Sequence, residues 1–461
     1  MNKVLLIRHE AATMLRMAGP LILAQLFQTA SGVVDTVMAG RFSAIDLAGV
    51  AVGSSIFFPI FLLQIGLLSA VTPLVAQAHG RGRPEEIRSA IRLGMLIGGV
   101  SGTLLMVVLW LIRPVLGWMG IAPEVIPVAD GYLFAVSWGL PLGGLFFPLR
   151  NGGDGLARPR LSMLAGLAGL LCNIAANRVL IYGDFGLPSL GGVGCGWATS
   201  LSILVMMLVM AWLLARSREP GVRRLFVPGR VGTLAEALAF LRLGTPLGCY
   251  LFIECSIFTI IALCIARMGP ESVAAHQIAA SCISLLYMVP YSLGIVLTVR
   301  VGFTIGKRRP HRLHRIAGTG LGMALGCALL TGACLLLFAN PIASLYTTDV
   351  PVRTLAASLL WLGACIQIPD ALQICFGGIL RGCKDTRVPL LLMLAAYWGV
   401  GVPLSSWLGF APPGGLQPGP HGFWIGIFCA LSTLALLLGG RVRLLLRRLT
   451  APQPGLTAGR P

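Results

Sequence analysis

Three carboxylates in this chain stand where carboxylates are costly. Asp35, Glu254 and Asp370 are the only ones of its 16 acidic residues that the sequence places well within long apolar runs. A charged side chain near a bilayer centre costs roughly 2.5 to 3.5 kcal/mol on the mildest scale, so such groups usually face a cavity and serve a purpose. A carboxylate so placed readily takes up a proton or a metal cation. Other polar groups lie in equally apolar surroundings: Asn173 and Asn177, then Thr199, then Tyr287. Asn residues at i and i+4 share a helix face, so both amides can point at one site. The competing account of all seven residues is plain interhelical hydrogen bonding.

The elements that must hold these residues follow from composition. The chain has 461 residues, of which 56% are hydrophobic and only 11% charged, and its mean hydropathy is +0.86. A soluble domain is about 25% charged, so this chain could not cover its surface in water. Apolar runs of roughly 20 residues, enough to cross a membrane as helix, recur throughout. The alternating ten-residue strands of a transmembrane barrel do not. The expected architecture is an all-α integral membrane protein with twelve transmembrane helices, near 18–40, 47–78, 91–112, 131–149, 161–182, 191–215, 243–266, 275–303, 316–338, 355–380, 388–410 and 422–440. The short apolar patch Val4 to Ile7 is not followed by a small-residue cleavage site and reads as part of a cytoplasmic lead-in rather than a signal peptide.

The net charge of +19 would suit nucleic acid, but its placement points elsewhere. Of 35 Lys and Arg residues, 29 fall in the termini and even-numbered loops, and four (Arg41, Arg113, Arg267 and Arg353) fall on the opposite side. Such a positive-inside bias puts both termini in the cytoplasm, with anionic membrane lipids as the partner of the surplus charge. Loops at 79–90, 216–242 and 306–315 then face inward, and those near 120 and 349 outward. No aromatic and basic platform accompanies the charge, so no nucleic-acid partner is expected. The 12 cysteines form no CxxC, and none of the 6 histidines stands at zinc-ligand spacing with them.

Superposing the second half of the chain on the first exposes a tandem repeat. At an offset of 226, Pro20 meets Pro246, Arg41 meets Arg267, Thr72 meets Thr298, and Gly80 to Pro84 meets Gly306 to Pro310. Further on, an offset of 231 pairs Leu149 and Arg150 with Leu380 and Arg381. Six spans per repeat return the chain to its starting side, so two pseudo-twofold-related six-helix lobes are expected. The domains are then a lead-in at 1–17, an N-terminal lobe at 18–215, a basic linker at 216–242 that includes Pro228 and Gly229, a C-terminal lobe at 243–440 and a tail at 441–461. No loop is long enough for an ATPase, so energy must come from a gradient or a partner chain. The buried carboxylates are not duplicated: Gln28 stands at the repeat position of Glu254, Ile261 at that of Asp35, and Gly139 at that of Asp370. Packing needs common to both lobes cannot account for that asymmetry.

These features together resemble the MATE (multidrug and toxic compound extrusion) family, in its NorM-like branch. The matching stretches are Val33 to Gly40; Asn173 to Asn177 with Leu180-Ile181-Tyr182-Gly183; Gly191 to Gly196; Ala274-Ala275-His276-Gln277; Asp154-Gly155-Leu156; and Leu380 to Arg387. The resemblance implies that Asp35, with Asn173, Asn177 and Thr199, binds a cation or proton in the first lobe. It implies that Glu254 and Asp370, with Tyr287 nearby, bind the coupling cation in the second. Two departures stand out: the Gly152-Gly153 pair, and Arg178, whose positive charge one residue beyond Asn177 is expected to alter the cation preference of the first lobe.

The function implied is secondary antiport: amphipathic, mostly cationic drugs or toxic organic cations leave while Na+ or H+ enters, with no cofactor beyond that ion and no metal beyond a transported Na+ at Glu254 and Asp370. A monomer in a bacterial-type inner membrane is expected. A lipid-linked precursor flippase of the same superfamily would call for a cationic cavity, whereas the charges buried here are acidic. An intramembrane enzyme would need a nucleophile and base or clustered His and Asp, and the histidines are scattered.

Overall fold

The computed structural model describes residues 3–118, 120–186, 188–227, 229–411 and 418–450. Pro228 of the expected linker and residues 451–461 of the expected tail lie outside them. Among the described residues, twelve helices are long and apolar enough to cross a membrane. The first six spans are α1 (Lys3–Phe42), α2 with α3 (Ala44–Leu68 and Val71–Arg81), α4 (Pro84–Ile112), α5 with α6 (Ile126–Ser137 and Gly139–Gly155), α7 (Pro159–Tyr182) and α8 (Gly192–Ala215). The remainder are α9 (Leu234–Ala266), α10 (Pro270–Gly306), α11 (Leu313–Tyr346), α12 (Val350–Gly382), α13 with α14 (Arg387–Leu394 and Val402–Phe410, joined through a π-helical Ala395–Gly401) and α15 (Pro420–Thr450).

Each expected span is present, but several run further than the apolar run that announced them. A helix satisfies its own backbone groups and need not stop at the membrane edge. The lead-in is accordingly the first turns of α1, and the last part of the linker is the start of α9. Helices α1, α9 and α10 stay continuous through Pro20, Pro246 and Pro290.

The second span is broken at Ser69 and Ala70. Pro73 has no N–H to continue the ladder, Thr72 N–H turns to the Ser69 carbonyl at 3.1 Å, and the Leu68 carbonyl is met instead by Asn151 Nδ2 at 3.0 Å. In the second repeat Val299 stands in place of Pro73, and α10 runs through unbroken.

The repeat is visible in backbone detail and corrects the alignment beyond the fourth span. Gly82 (φ 70°) and Arg308 (φ 53°) hold the same left-handed turn 226 residues apart. Helices α6 and α12, however, end at Gly155 and Gly382, each followed two residues later by a left-handed residue, Ala157 or Lys384. That is an offset of 227 rather than 231. Contacts agree: a Cβ on Gly155 would press on the Thr72 carbonyl and Val75, and one on Gly382 on the Thr298 carbonyl and Val301. The shared Leu-Arg text had suggested 231, but packing sets the register. Asp370 then corresponds to Gly143 instead of Gly139, and is still unduplicated.

Contacts divide the chain into two compact units, one of residues 15–259 and one of residues up to 14 together with those from 260 onward. Within the first, helices cross at backbone distance through glycine: Gly98 of α4 lies against the Gly144 carbonyl of α6, and Gly66 of α2 and Gly248 of α9 lie against the facing carbonyls of Leu247 and Leu63. Lipid tails are as apolar as Leu, so close packing of small residues is a main source of helix association. Within the second unit, Gly294 of α10 and Gly378 of α12 meet in the same way, and Glu10 of α1 pairs with Arg300 of α10 at 2.5 Å. Replacing Gly98 by Val should destabilise the purified protein by about 1 to 3 kcal/mol through overpacking. Gly99→Ala, where the nearest atom is Leu145 Cδ2 at 3.8 Å, should leave the thermal midpoint unchanged. Equal midpoints for both variants would contradict the crossing.

Candidate functional site

Asp35 lies on the second half of α1 and is 8% exposed. Its carboxylate gathers three side chains from two other helices. Asn173 and Asn177, both fully buried on α7, donate their Nδ2 hydrogens to Oδ1 at 3.0 and 2.6 Å, and Thr199 Oγ1 of α8 donates to Oδ2 at 2.9 Å. The i, i+4 spacing brings both amides to one oxygen, and Asn177 Nδ2 also reaches Asn173 Oδ1 at 3.2 Å.

Glycines hold α7 and α8 close enough for this. Helix α7 ends at Gly183 in a left-handed conformation (φ 79°), and the returning chain bonds Leu190 N–H to the Leu180 carbonyl at 2.9 Å. At Gly194 a Cβ would stand 2.8 Å from the Leu180 carbonyl carbon, and at Gly196 2.7 Å from the Tyr132 carbonyl oxygen. The Gly191 to Gly196 run therefore lets α8 lie on its neighbours nearly backbone to backbone. Asp46 accepts from Gly192 N–H at 2.5 Å, a carboxylate at the positive end of a helix, and Thr199 follows two turns further on.

An ionised carboxylate offers about four acceptor positions. Asp35 Oδ1 uses two and Oδ2 one, which leaves one open on Oδ2. Among the described residues no Lys, Arg or His lies within ion-pair distance of it. Asn177 Oδ1 is buried beside it without a donor. A buried carboxyl group, an open lone pair and an unmet carbonyl oxygen together suit a proton or a small cation.

Asp370 is 7% exposed on α12, accepts from Gln373 Nε2 at 3.2 Å, and follows Pro369, whose missing N–H leaves the Cys365 carbonyl without its helical partner. Gln367 and Gln373, buried three residues to either side, were not singled out in the sequence, although their spacing puts them beside Asp370. Tyr287 of α10 stacks on Tyr291 with ring centroids 5.6 Å apart. Glu254 lies half-buried on α9. The structure thus gathers Asp35, Asn173, Asn177 and Thr199 into one hydrogen-bonded cluster, and places Glu254, Tyr287 and Asp370 outside it.

Asp35 and Asp370 are not the only buried carboxylates among the described residues. Asp154 is 3% exposed, accepts from Ser162 Oγ at 2.6 Å and lies 3.9 Å from Arg150 Nε. Arg150 in turn donates to Gln28 Oε1 at 2.9 Å and to Gln25. Arg and Asp at i and i+4 within α6 were the signal for this pair. The cluster also bears on the asymmetry of the repeat, because the amide standing in the place of Glu254 serves a buried arginine. Arg178, by contrast, is not part of the hydrogen-bonded cluster around Asp35. Its side chain is 67% exposed, pairs with Asp184 at 2.7 Å, and holds its guanidinium 5.4 Å from the Tyr182 ring centre. The helix turns it away from Asn177 to the protein surface.

Among the described residues, twelve helices long and apolar enough to cross a membrane, with charged and amide groups buried among them, define a polytopic membrane protein. The MatE family model matches residues 20–179 and 246–407, two blocks that begin 226 residues apart and so follow the repeat. The chain belongs to this family. It is 42% identical over 442 residues to the multidrug resistance protein PmpM of Pseudomonas aeruginosa, covering 95% of this chain and 92% of that one. It is 40% identical over 444 residues to the multidrug resistance protein MdtK of Yersinia pestis, covering 96% and 97%. In fold it is similar to a MATE family multidrug resistance transporter solved in an outward-facing conformation (TM-score 0.85, 19% identity, 97% and 99% covered). It is also similar to the MATE transporter VcmN of Vibrio cholerae in its bent form (TM-score 0.83, 19% identity, 96% and 98% covered).

If the cluster binds the coupling ion, Asp35→Asn should slow ion-coupled export about 5-fold or more, the low end of typical coupling energies, while the isosteric amide leaves the protein folded. Arg178→Ala should change neither rate nor ion preference. Export assays at equal protein level check both. Wild-type export by Asp35→Asn would contradict the role of the cluster.

Proposed function

We propose that this chain is a secondary active multidrug efflux antiporter of the bacterial inner membrane, with both termini cytoplasmic, exporting amphipathic, mostly cationic compounds in exchange for Na+ or H+. Relatives at about 40% identity over nearly the whole chain are named multidrug resistance proteins, which supports drugs as the substrate class. The observation that carries the coupling is the Asp35 cluster: a buried carboxylate with three neutral donors, no cationic partner and one acceptor position open. Asp370, with Gln367 and Gln373 beside it, and Glu254, which belongs to the second repeat in sequence and to the first compact unit by contacts, are each proposed to take up Na+ or a further proton.

The energetics suffice. A tenfold proton gradient shifts each titrating group by up to about 1.4 kcal/mol, and 100 mV of membrane potential adds roughly 2.3 kcal/mol per net charge moved. Negative groups in an apolar interior favour organic cations over phosphate-bearing lipid precursors, since the buried Arg150 is already engaged by Asp154, Gln25 and Gln28. Replacing Asp370 by Asn, or Glu254 by Gln, removes a charge and keeps the shape. Each should strongly reduce dye export from proteoliposomes under an imposed Na+ or pH gradient. Both variants exporting at the wild-type rate would remove the second-lobe residues from the mechanism.

A further inference from the structure

The described residues that join α8 to α9, 216–227 and 229–233, form a folded layer with two different faces. Its underside is fixed to the first compact unit. Val222 and Leu225 are buried in the hydrophobic core, and a Cβ at Gly221 would stand 2.8 Å from Ile87 Cδ1. Arg92 of α4 spends its guanidinium on four backbone carbonyls of the layer, those of Arg224 at 2.8 Å, Leu225 at 2.9 Å, Val227 at 2.5 Å and Arg230 at 3.3 Å. Arg88 adds the Pro220 carbonyl at 2.7 Å. A loop held by five such hydrogen bonds is a surface, not a tether.

The opposite face is basic and apolar together. Arg216, Arg218, Arg223 and Arg224 are exposed, and among the described residues none has a carboxylate within ion-pair distance. The two acids in reach are already taken, Glu219 by Arg158 at 2.8 Å and Glu236 by Arg230 at 2.9 Å. Phe226 and Val227, which follow Arg223 and Arg224 in the chain, are about half exposed. Trp212, on the last turns of α8, lies under the Arg216 guanidinium at 4.5 Å. Arg216 follows the final helical residue of the apolar span α8, so the layer begins where that span ends. Exposed aromatic and apolar groups beside unpaired Arg at the end of a membrane span match a headgroup region that is part apolar and part anionic.

We infer that this layer is a docking surface for anionic phospholipid headgroups of the cytoplasmic leaflet. Arg218, Arg223 and Arg224 hold the phosphates, and Phe226 with Val227 enters the acyl boundary. The leaflet follows from the orientation proposed above; the site itself follows from the exposed residues. Nucleic acid or an acidic protein would use the same charge but leave Phe226 and Val227 without a place.

The test uses the purified full chain in neutral detergent, with unfolding followed by tryptophan fluorescence during titration with phosphatidylglycerol or phosphatidylcholine. Phosphatidylglycerol should raise the midpoint more than phosphatidylcholine does, and about 1 M salt should shrink the difference. The triple variant R218Q/R223Q/R224Q should lose at least about half of that difference, with its phosphatidylcholine curve unchanged, and R218K/R223K/R224K should keep it. If the triple Gln variant is less stable in phosphatidylcholine, R223Q and R224Q separately should each lose part of the response. Equal stabilisation of the wild type by the two lipids, a full response in the Gln variants, or an equal shift from inorganic phosphate, an oligonucleotide or an acidic peptide would overturn the proposal. Drug exchange in phosphatidylcholine liposomes should be the same for wild type and triple Gln variant, so failure of the lipid site is separable from failure of the transport reading. Labelling of a single cysteine at position 223 from outside intact cells would refute the leaflet alone.

Discussion

The cost of placing the Asp35 carboxyl inside a membrane shapes the first compact unit. A bare carboxylate there would neutralise itself or distort the bilayer, so the fold surrounds it with donors. Those donors come from α7 and α8, and both helices must approach α1 closely for amides and a hydroxyl to reach one carboxylate. The glycine run at 191–196 and the left-handed turn at Gly183 permit that approach. The cluster stops short of full compensation, with three neutral donors and no countercharge. A group held this way is stable enough to persist and still open to a proton or cation, as exchange requires.

The repeat supplies the scaffold and its differences supply the chemistry. Both halves use the same break-and-turn devices, seen in Gly82 and Arg308 and in Ala157 and Lys384. Between them, polar positions diverge. Gln28 serves Arg150 where the second repeat carries Glu254, and Asp370 faces no counterpart but Gly143. Duplicated packing with unduplicated charge makes the two halves alike in scaffold and different in chemistry.

Much of this was legible in the sequence because the bilayer is a severe solvent. Twelve apolar runs gave twelve helices, and the i, i+4 amides on one run proved to share one carboxylate oxygen. What stayed hidden was decided by direction and by water. Arg178 adjoins Asn177 in the chain but points to the surface, and nothing in its neighbourhood announced Asp184 as its partner. Asp154 and Glu10 sit near span ends, where a sequence reads as wet, yet each is buried against an arginine. The offset past the fourth span was misread because a shared Leu-Arg pair weighs more in text than helix ends do, whereas backbone contacts at Gly155 and Gly382 fix the register.

The central claim is that drug and coupling ion are linked through these carboxylates, since an exchanger must bind one less well when the other is bound. Such a coupling free energy is reciprocal between the two sites. The most direct measurement is drug affinity on the detergent-purified protein from about pH 5 to about pH 8, with and without saturating Na+. Affinity should fall as pH is lowered or as Na+ is raised, and the dependence should weaken in Asp35→Asn. An affinity flat in both variables would contradict the account and leave Asp35, Glu254 and Asp370 as structural hydrogen-bonding groups.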